Sequence, residues 1–146
     1  MATYPDPIDL TLPGLLLPTP NDLLRMERRH WSVRRNFTMN LARMVWATLF
    51  NSPHRAALQR DAIKRCRILI ERHSAGRPDP DAIKGCAKPL LDVLQPRSKR
   101  HPYGLGVIAD DSDAVIEHLD VRHVQAKRGT YAARIVITPT ATKARP

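Results

Sequence analysis

Two clusters of aspartates have the residue types and spacing of a metal site. Asp79 and Asp81 flank Pro80 in "RPDPDAIKG", and Asp110 and Asp111 stand in "ADDSD" after the short apolar run "GVIA". The residue before a proline favours an extended backbone, and side chains two residues apart in an extended chain point the same way. Mg²⁺ and Mn²⁺ prefer carboxylate oxygens as ligands. The spacing therefore predicts that these four aspartates converge on one ion.

Lys88 would add a cation to such a site. It lies seven residues after Asp81, close to two helical turns, so a single helix would place both side chains on one face. Hydrolysis of a phosphodiester needs an activated water, neutralised charge on phosphorus and help for the leaving oxygen. Metal ions together with one lysine provide all three, so these residues fit phosphodiester hydrolysis.

The competing interpretation is structural. Asp81 would cap a helix that starts at Ala82, and Asp79 would cap a turn. Lys88 would then be a solvated side chain on that helix. For an isolated Asp-Pro-Asp the capping role is the commoner one, and it is the second acidic cluster that favours the metal site.

The charge of the chain indicates a polyanionic partner. The 146 residues include 24 Lys and Arg against 14 Asp and Glu, a formal net charge of +10. Basic charge spread over most of the surface suits nucleic acid better than one small anionic substrate, and a merely soluble basic protein is the alternative. The side chains that we expect to contact DNA phosphates are Arg34, Arg35, Arg77, Lys84, Arg97, Lys99 and Arg100.

Length and composition predict one soluble domain. With 42% hydrophobic residues the chain can bury a core, so we expect a single domain over 1–146 with its core in about 8–138. Cys66 and Cys86 lie in apolar elements without zinc spacing, which favours buried, reduced thiols. No segment approaches the roughly 20 apolar residues of a membrane span, and the N-terminal residues lack the pattern of a signal peptide. We therefore expect a cytoplasmic protein.

Apolar periodicity predicts the elements that would position the aspartates. Alternating residues predict strands at 8–13 and 62–73, and the second strand leads to the Asp79 motif. A helical stripe predicts a helix over 32–50 with Ser32 as its N-cap. The remaining predictions are an irregular connection at 14–22, a helix over about 82–94 that Pro89 kinks or divides, a basic loop at 95–106, a hairpin within 115–138 that turns at Gly129, and a frayed tail at 139–146.

This order of elements predicts an α+β domain. We expect a small mixed or antiparallel sheet, amphipathic helices packed on it, and a C-terminal β-hairpin. Trp31, beside the first predicted helix, has two interpretations. With His30 it would stack on an unpaired base, or it would pack against the fold.

The combined pattern resembles the RusA family of Holliday-junction resolvases, especially its phage and prophage members. The resemblance is carried by "DPD", the lysine seven residues after its second aspartate, "LLD", "DDSD" and the terminal β-rich runs, preceded by "LPGLLLPTPND" and "HWSVRR". It covers roughly residues 8–138. Each motif is short, and the specificity lies in the order and spacing of the acidic residues.

The resemblance implies a homodimeric, Mg²⁺-dependent endonuclease, with Mn²⁺ as the alternative ion. Such an enzyme binds four-way DNA junctions by shape and nicks two opposing strands symmetrically, in DNA recombination and repair. By resemblance, Asp79, Asp81 and Asp111 are the metal-binding catalytic aspartates, Lys88 is the catalytic lysine, and Asp110 is a further candidate ligand. The cell would be a bacterium or a phage-infected host.

Two features depart from the family pattern. Ala82 stands where many relatives have Asn, which removes a polar group near the metal, and the segment between Asp92 and Asp110 is longer than usual. Neither departure deletes a metal ligand. The alternative functions are a non-catalytic basic DNA-binding or architectural module and a basic protein-interaction domain of a larger assembly.

Overall fold

The alternation of "IDLTLP" and "CRILIERHS" sends every second side chain into the core. In the computed structural model, which describes residues 6–141, these segments are strands β1 (Ile8–Pro13) and β2 (Cys66–Ser74). β3 (Ile116–Gln125) and β4 (Ala132–Pro139) complete a four-stranded sheet in the order β1-β4-β2-β3. β2 and β3 are parallel, whereas β4 is antiparallel to both of its neighbours. The predicted α+β class with a mixed sheet is confirmed.

The predicted C-terminal hairpin is wrong in its pairing. Gly129 does lie in the turn between β3 and β4, with a φ of +84° that favours glycine, but the two strands do not pair with each other. β2 lies between them, so that Ile70 faces Ile135 of β4 on one side and Val121 of β3 on the other. A period-2 pattern identifies the residues that face the core, but not the neighbouring strand.

A helix that the sequence interpretation missed follows the first strand. The irregular connection was predicted to span 14–22, but α1 (Pro20–Arg29) begins within it. A capping box starts the helix, because the Thr19 amide donates to Asp22 Oδ2 at 3.0 Å and the Asp22 amide donates to Thr19 Oγ1 at 3.3 Å. Pro20 occupies the first turn, where its missing N–H has no cost.

The long helix that the apolar stripe predicts is confirmed. It is α2 (Trp31–Phe50), and its cap is His30 rather than Ser32, since the Ser32 amide donates to His30 Nδ1 at 3.2 Å. Its buried side chains, which include Leu41 and Val45, belong to the same core as the strands. A short 3₁₀ turn (Arg55–Leu58) follows before β2.

The predicted helix over 82–94 is two short helices. α3 (Pro80–Gly85) and α4 (Lys88–Leu94) are separated by two residues, and Pro89 lies in the first turn of α4. Proline is tolerated there, so it divides the segment as predicted and still belongs to a helix. Leu90 and Leu94 are fully buried, whereas no residue of α3 is. α3 therefore holds its position mainly by lying beside β3.

The basic loop at 95–106 has no helix or strand, as predicted, but its backbone is anchored. The Leu105 amide donates to the Val93 carbonyl at 2.8 Å, and the Gly106 amide donates to the Gln95 carbonyl at 3.0 Å. The tail predicted to be frayed begins as ordered chain, since β4 runs through Pro139, and residues 142–146 lie outside the described residues.

Both cysteines are free and buried, in agreement with the prediction of reduced thiols. Burial raises the pKa of the Cys66 thiol to about 11 and also raises the pKa of Cys86. Among residues 6–141 no helix has the length and apolar character to cross a membrane.

Candidate functional site

Asp79 and Asp81 lie where the chain enters α3. Asp79 is the N-cap residue, with an extended backbone (φ −59°, ψ 152°), but its carboxylate makes no capping hydrogen bond. Asp81 lies in the first turn of the helix, so it is not the cap of a helix that starts at Ala82. Both side chains are exposed, and neither has a hydrogen bond or an ion pair with another residue of the described chain. The capping interpretation therefore does not account for them.

The expectation that Asp79, Pro80 and Asp81 are all extended is wrong. Proline fixes φ near the helical value and favours the first turn of a helix, so α3 begins at Pro80 itself. Because Asp81 is helical, the rule that side chains two residues apart point the same way does not apply to this pair.

The second acidic cluster is a loop between two backbone contacts, one with Ile63 just before β2 and one with Cys66 at the start of β2. Before the loop Ile108 forms a parallel bridge with Ile63, and after it the Val115 carbonyl accepts from the Cys66 amide at 2.8 Å. Arg65 Nη1 fixes the end of the loop by donating to the carbonyls of Asp113 at 3.2 Å and Ala114 at 3.0 Å. The cluster is thus anchored through its backbone, and its carboxylates face solvent.

Asp110 is the residue of this cluster with a perturbed charge. The backbone N–H of Asp111 and the hydroxyl of Ser112 stabilise its carboxylate and lower its pKa, and the nearby charge of His101 lowers that pKa further. Asp110 therefore stays ionised in solution well below neutral pH. It is therefore available as an anion.

The structure does not bring the two clusters together. β2 and β3 are parallel, so their first residues, Cys66 and Ile116, pair at one end of the strands, and the second cluster precedes Ile116 there. Their last residues, Ser74 and Gln125, pair at the other end, and the chain continues from Ser74 to Asp79. A strand of nine residues separates these two ends by roughly 26 Å. Among residues 6–141 no three His, Cys, Asp or Glu side chains are grouped so that they could hold a metal ion. The predicted convergence of four aspartates is absent from the single chain, because β2 and β3 run parallel.

Lys88 has a partner other than Asp81. Its Nζ donates to Asp92 Oδ1 at 2.9 Å, and His101 Nδ1 lies 3.9 Å from the same oxygen. The break between α3 and α4 interrupts the helical spacing from Asp81 to Lys88 on which the shared face depended. Asp92 and His101 received no role from the sequence, since neither lies within a recognisable catalytic spacing.

Several basic residues that were expected to contact DNA do meet. Arg34, Arg35 and Arg100 line one cavity of about 390 Å³ between α2, α4 and the basic loop, together with His101 and Asp92. A neighbouring cavity of about 350 Å³ is lined by further residues of α2 and of the loop. These are Met39, Ala42, Arg43, Trp46, Arg97, Pro102, Tyr103, Gly104 and Leu105. The α2 side of the molecule is therefore a grooved basic surface.

The other expected DNA contacts lie elsewhere. Arg77 lines a separate cavity of about 320 Å³ beside α3 and β3, with Ile83 and His123. Lys84 is an exposed residue of α3, and Lys99 is exposed in the basic loop. The seven basic residues therefore form at least two surfaces, one beside α2 and one near Asp79 and Asp81.

The outer face of α2 carries large aromatic residues, and of these only Trp31 received an interpretation from the sequence. Trp31 is 66% exposed, so the prediction that it packs against the fold is wrong. The rings of Trp46 and Phe50 stack with their centroids 4.8 Å apart and their planes at 14°. Two aromatic residues four positions apart in the sequence indicate a shared helical face. The same spacing occurs on buried faces, so it does not predict that the rings are exposed.

The chain matches no protein-family model, and no curated protein matches it. The RusA family therefore remains a resemblance carried by the residues quoted above.

Proposed function

We propose that the chain is a Mg²⁺-dependent, structure-selective endodeoxyribonuclease that acts as a homodimer on four-way DNA junctions. The observation that carries the proposal is the state of Asp79 and Asp81, two exposed carboxylates at the start of α3 without a partner in the described chain. If they served the fold, at least Asp79 would cap the helix. In a chain of net charge +10, a local pair of uncompensated anions is suited to a hard cation.

The surroundings of the pair support a phosphate-containing substrate. Arg77 and Lys84 flank the two aspartates in sequence and are exposed, or partly so, at the same end of the sheet. Such cations bind the DNA backbone with little dependence on base sequence, as recognition by shape requires. A two-fold dimer would present two equivalent sites to two equivalent strands, which is the symmetry that paired nicks require.

The described residues of one chain do not form a complete metal site. Asp79 and Asp81 form one half of the ligand set given by the resemblance, and Asp110 and Asp111 form the other. The two halves lie at opposite ends of the parallel strands β2 and β3, because the first pair follows the last residue of β2 and the second pair precedes the first residue of β3. Cleavage by this ligand set requires that the halves meet.

The separation of the two halves favours a second candidate, a non-catalytic basic DNA-binding module. In that case the grooved basic surface beside α2 is the functional part of the molecule. The aspartates then have no chemical role, and Mg²⁺ changes DNA binding only through ionic strength.

Cleavage of a labelled synthetic four-way junction, with and without Mg²⁺, distinguishes the two candidates. We expect paired symmetric nicks that require Mg²⁺, and no nicks with Asp81→Asn, which should bind the junction as tightly as the unchanged protein or more tightly. Asp61→Asn is the matched control, because it removes the same charge from an exposed position outside both clusters. Tight binding without product in either Mg²⁺ or Mn²⁺ would leave the binding module as the function. Failure to bind the junction at low salt would overturn both candidates.

A further inference from the structure

We propose that the outer face of α2 binds unpaired DNA bases by stacking them on its aromatic side chains. We call this surface the α2 aromatic face and define it by Trp31, Arg35, Trp46, Phe50 and the adjacent Arg55. The inference rests on the proposed function in one respect, that the partner is DNA. It does not depend on cleavage or on the aspartates.

The aromatic rings of this face are exposed, and two of the three lie close to a cation. Trp31 is 66% exposed, Trp46 is 45% exposed and Phe50 is 37% exposed. The Arg35 guanidinium lies 4.7 Å from the centre of the Trp31 ring, and the Arg55 guanidinium lies 3.7 Å from the centre of the Phe50 ring. Aromatic rings alternating with arginines are the usual composition of a surface that binds single-stranded nucleic acid.

The folding of the chain does not account for these rings. α2 packs through an adjacent stripe, in which Leu41, Val45 and Leu49 are buried. An aromatic side chain contributes most to stability when it is buried, so two tryptophans left in solvent on one helix are unfavourable unless something covers them. Both tryptophans of the chain lie on this face.

Charge distinguishes DNA from a second copy of the chain as the occupant. α2 contains three arginines and no aspartate or glutamate, so two copies of the face brought together would place like charges against each other. A strand of DNA offers the complementary pattern, since its bases can lie on the indoles while its phosphates pair with Arg35, Arg43 and Arg55.

The neighbouring groove provides room for part of a strand. The cavity of about 350 Å³ has Trp46 and Arg43 on its α2 side and Arg97 and Tyr103 on the side of the basic loop. Trp31 and Trp46 are fifteen residues apart, about 22 Å along the helix axis at 1.5 Å per residue. A bound strand must therefore be several nucleotides long to contact both rings.

Tryptophan fluorescence tests the inference directly, because the only two tryptophans of the chain belong to the face. The protein, in EDTA to prevent cleavage, is titrated with an oligothymidylate of about 12 nucleotides, within the usual range of site sizes. We expect quenching of the emission in the unchanged protein and in both single-tryptophan variants, Trp31→Phe and Trp46→Phe. A blunt duplex of the same length should quench much less, because its bases are already stacked.

Truncation of a ring should weaken binding of the oligothymidylate. Trp46→Ala is expected to raise its Kd at least fivefold, the lower end of what the loss of one stacked base costs. Leu24→Ala is the matched control, because it truncates an exposed apolar side chain on α1 and should leave the Kd unchanged. Fluorescence anisotropy of a labelled oligothymidylate measures both.

Three outcomes would overturn the inference. The labelled oligothymidylate could bind without change in tryptophan emission, or fail to bind at all. A blue shift of the emission with rising protein concentration, in the absence of DNA, would show that a second copy covers the face. Failure of this inference can be distinguished from failure of the proposed function. Junction cleavage without quenching of the tryptophan emission overturns this inference alone, and quenching without cleavage overturns the nuclease alone.

Discussion

Lys88 Nζ lies 2.9 Å from Oδ1 of Asp92, one turn further along α4. The lysine that the resemblance assigns to catalysis is therefore half of an ion pair in the isolated chain. The pair lies at the surface, with the lysine more exposed than the carboxylate. An exposed pair of this spacing is worth about 0.3–0.5 kcal/mol, so it orients the amine without preventing contact with a phosphate oxygen.

The first prediction concerns this lysine. Lys88→Met should lower the rate of junction cleavage by about 100-fold or more, because it removes a cation that would stabilise the negative charge developing on the phosphate in the transition state. Affinity for the junction should change less than twofold, as measured by gel shift at fixed salt. Lys127→Met, which removes the same charge from an exposed turn, should leave the rate unchanged. Equal loss of affinity and rate in Lys88→Met would contradict a catalytic role.

The second prediction concerns a buried cation next to the Asp79 motif. Arg72 is 6% exposed, and it donates from Nε to the Leu17 carbonyl at 2.8 Å and from Nη1 to Ser74 Oγ at 2.7 Å. Ser74 Oγ in turn donates to the Gly76 carbonyl at 2.7 Å. Arg72→Met should lower the free energy of unfolding by about 2–3 kcal/mol, because it breaks hydrogen bonds made by a charged group and leaves buried acceptors unpaired.

Urea unfolding measures this loss. Arg67→Met is the matched control on the same strand, where the arginine is exposed and pairs with Glu117 at the surface. It should cost less than about 1 kcal/mol. Equal costs for the two variants would show that the buried hydrogen bonds of Arg72 contribute nothing beyond a surface pair.

The third prediction concerns the basic loop. A Cβ at Gly104 would clash with the Gln95 carbonyl and lie 2.7 Å from the Pro96 carbonyl, so Gly104→Ala requires the loop to shift. We expect a loss of about 1–3 kcal/mol in the free energy of unfolding. Gly76→Ala is the control, because a Cβ there meets no atom within 4 Å, and it should change stability by less than about 0.5 kcal/mol. Thermal unfolding of both variants checks the difference.

The fourth prediction concerns acid stability. Arg134 donates to both carboxylate oxygens of Asp9, at 3.0 and 2.7 Å, and holds the pKa of Asp9 below its ordinary value of 3.8. A carboxylate with a lowered pKa in the folded state contributes stability above its unfolded-state pKa, and that contribution is lost as the pH falls through the folded-state value. The unchanged protein should therefore lose stability below about pH 4, partly through this pair.

Arg134→Gln removes the cause of the shift, so it should lose less stability than the unchanged protein between pH 6 and pH 3. Urea unfolding at the two pH values measures the difference. Arg128→Gln, an exposed arginine in the turn before β4, should behave as the unchanged protein. An unaltered pH dependence in Arg134→Gln would mean that the Asp9 pair does not contribute to acid sensitivity.

Local patterns identified most of the elements. The alternation in 8–13 and 62–73 and the apolar stripe of 32–50 each reflect burial against one core, although the second strand begins only at Cys66 and ends at Ser74. α1 was missed although Thr19 and Asp22 form a capping box, because the prolines around it suggested an irregular chain. Thr-Pro-x-Asp is itself a signal for a helix start.

The arrangement of the site was beyond local patterns. Whether Asp79 and Asp111 meet depends on the end of the sheet at which each loop lies, and that follows from the parallel pairing of β2 and β3. The residues of a strand do not by themselves determine which strand it pairs with. For the same reason the helical spacing of Trp46 and Phe50 gave a shared face but not its exposure, since an inward and an outward stripe have the same period.

The place of β4 constrains how the protein is made. Among the described strands β1 pairs with β4 alone, and β4 separates it from β2. During synthesis, Ile8, Leu10 and Leu12 therefore have no strand to join until the chain up to residue 139 has left the ribosome. The sheet closes late through contacts between distant parts of the chain, which is slow and leaves apolar surface exposed to other nascent chains and to chaperones.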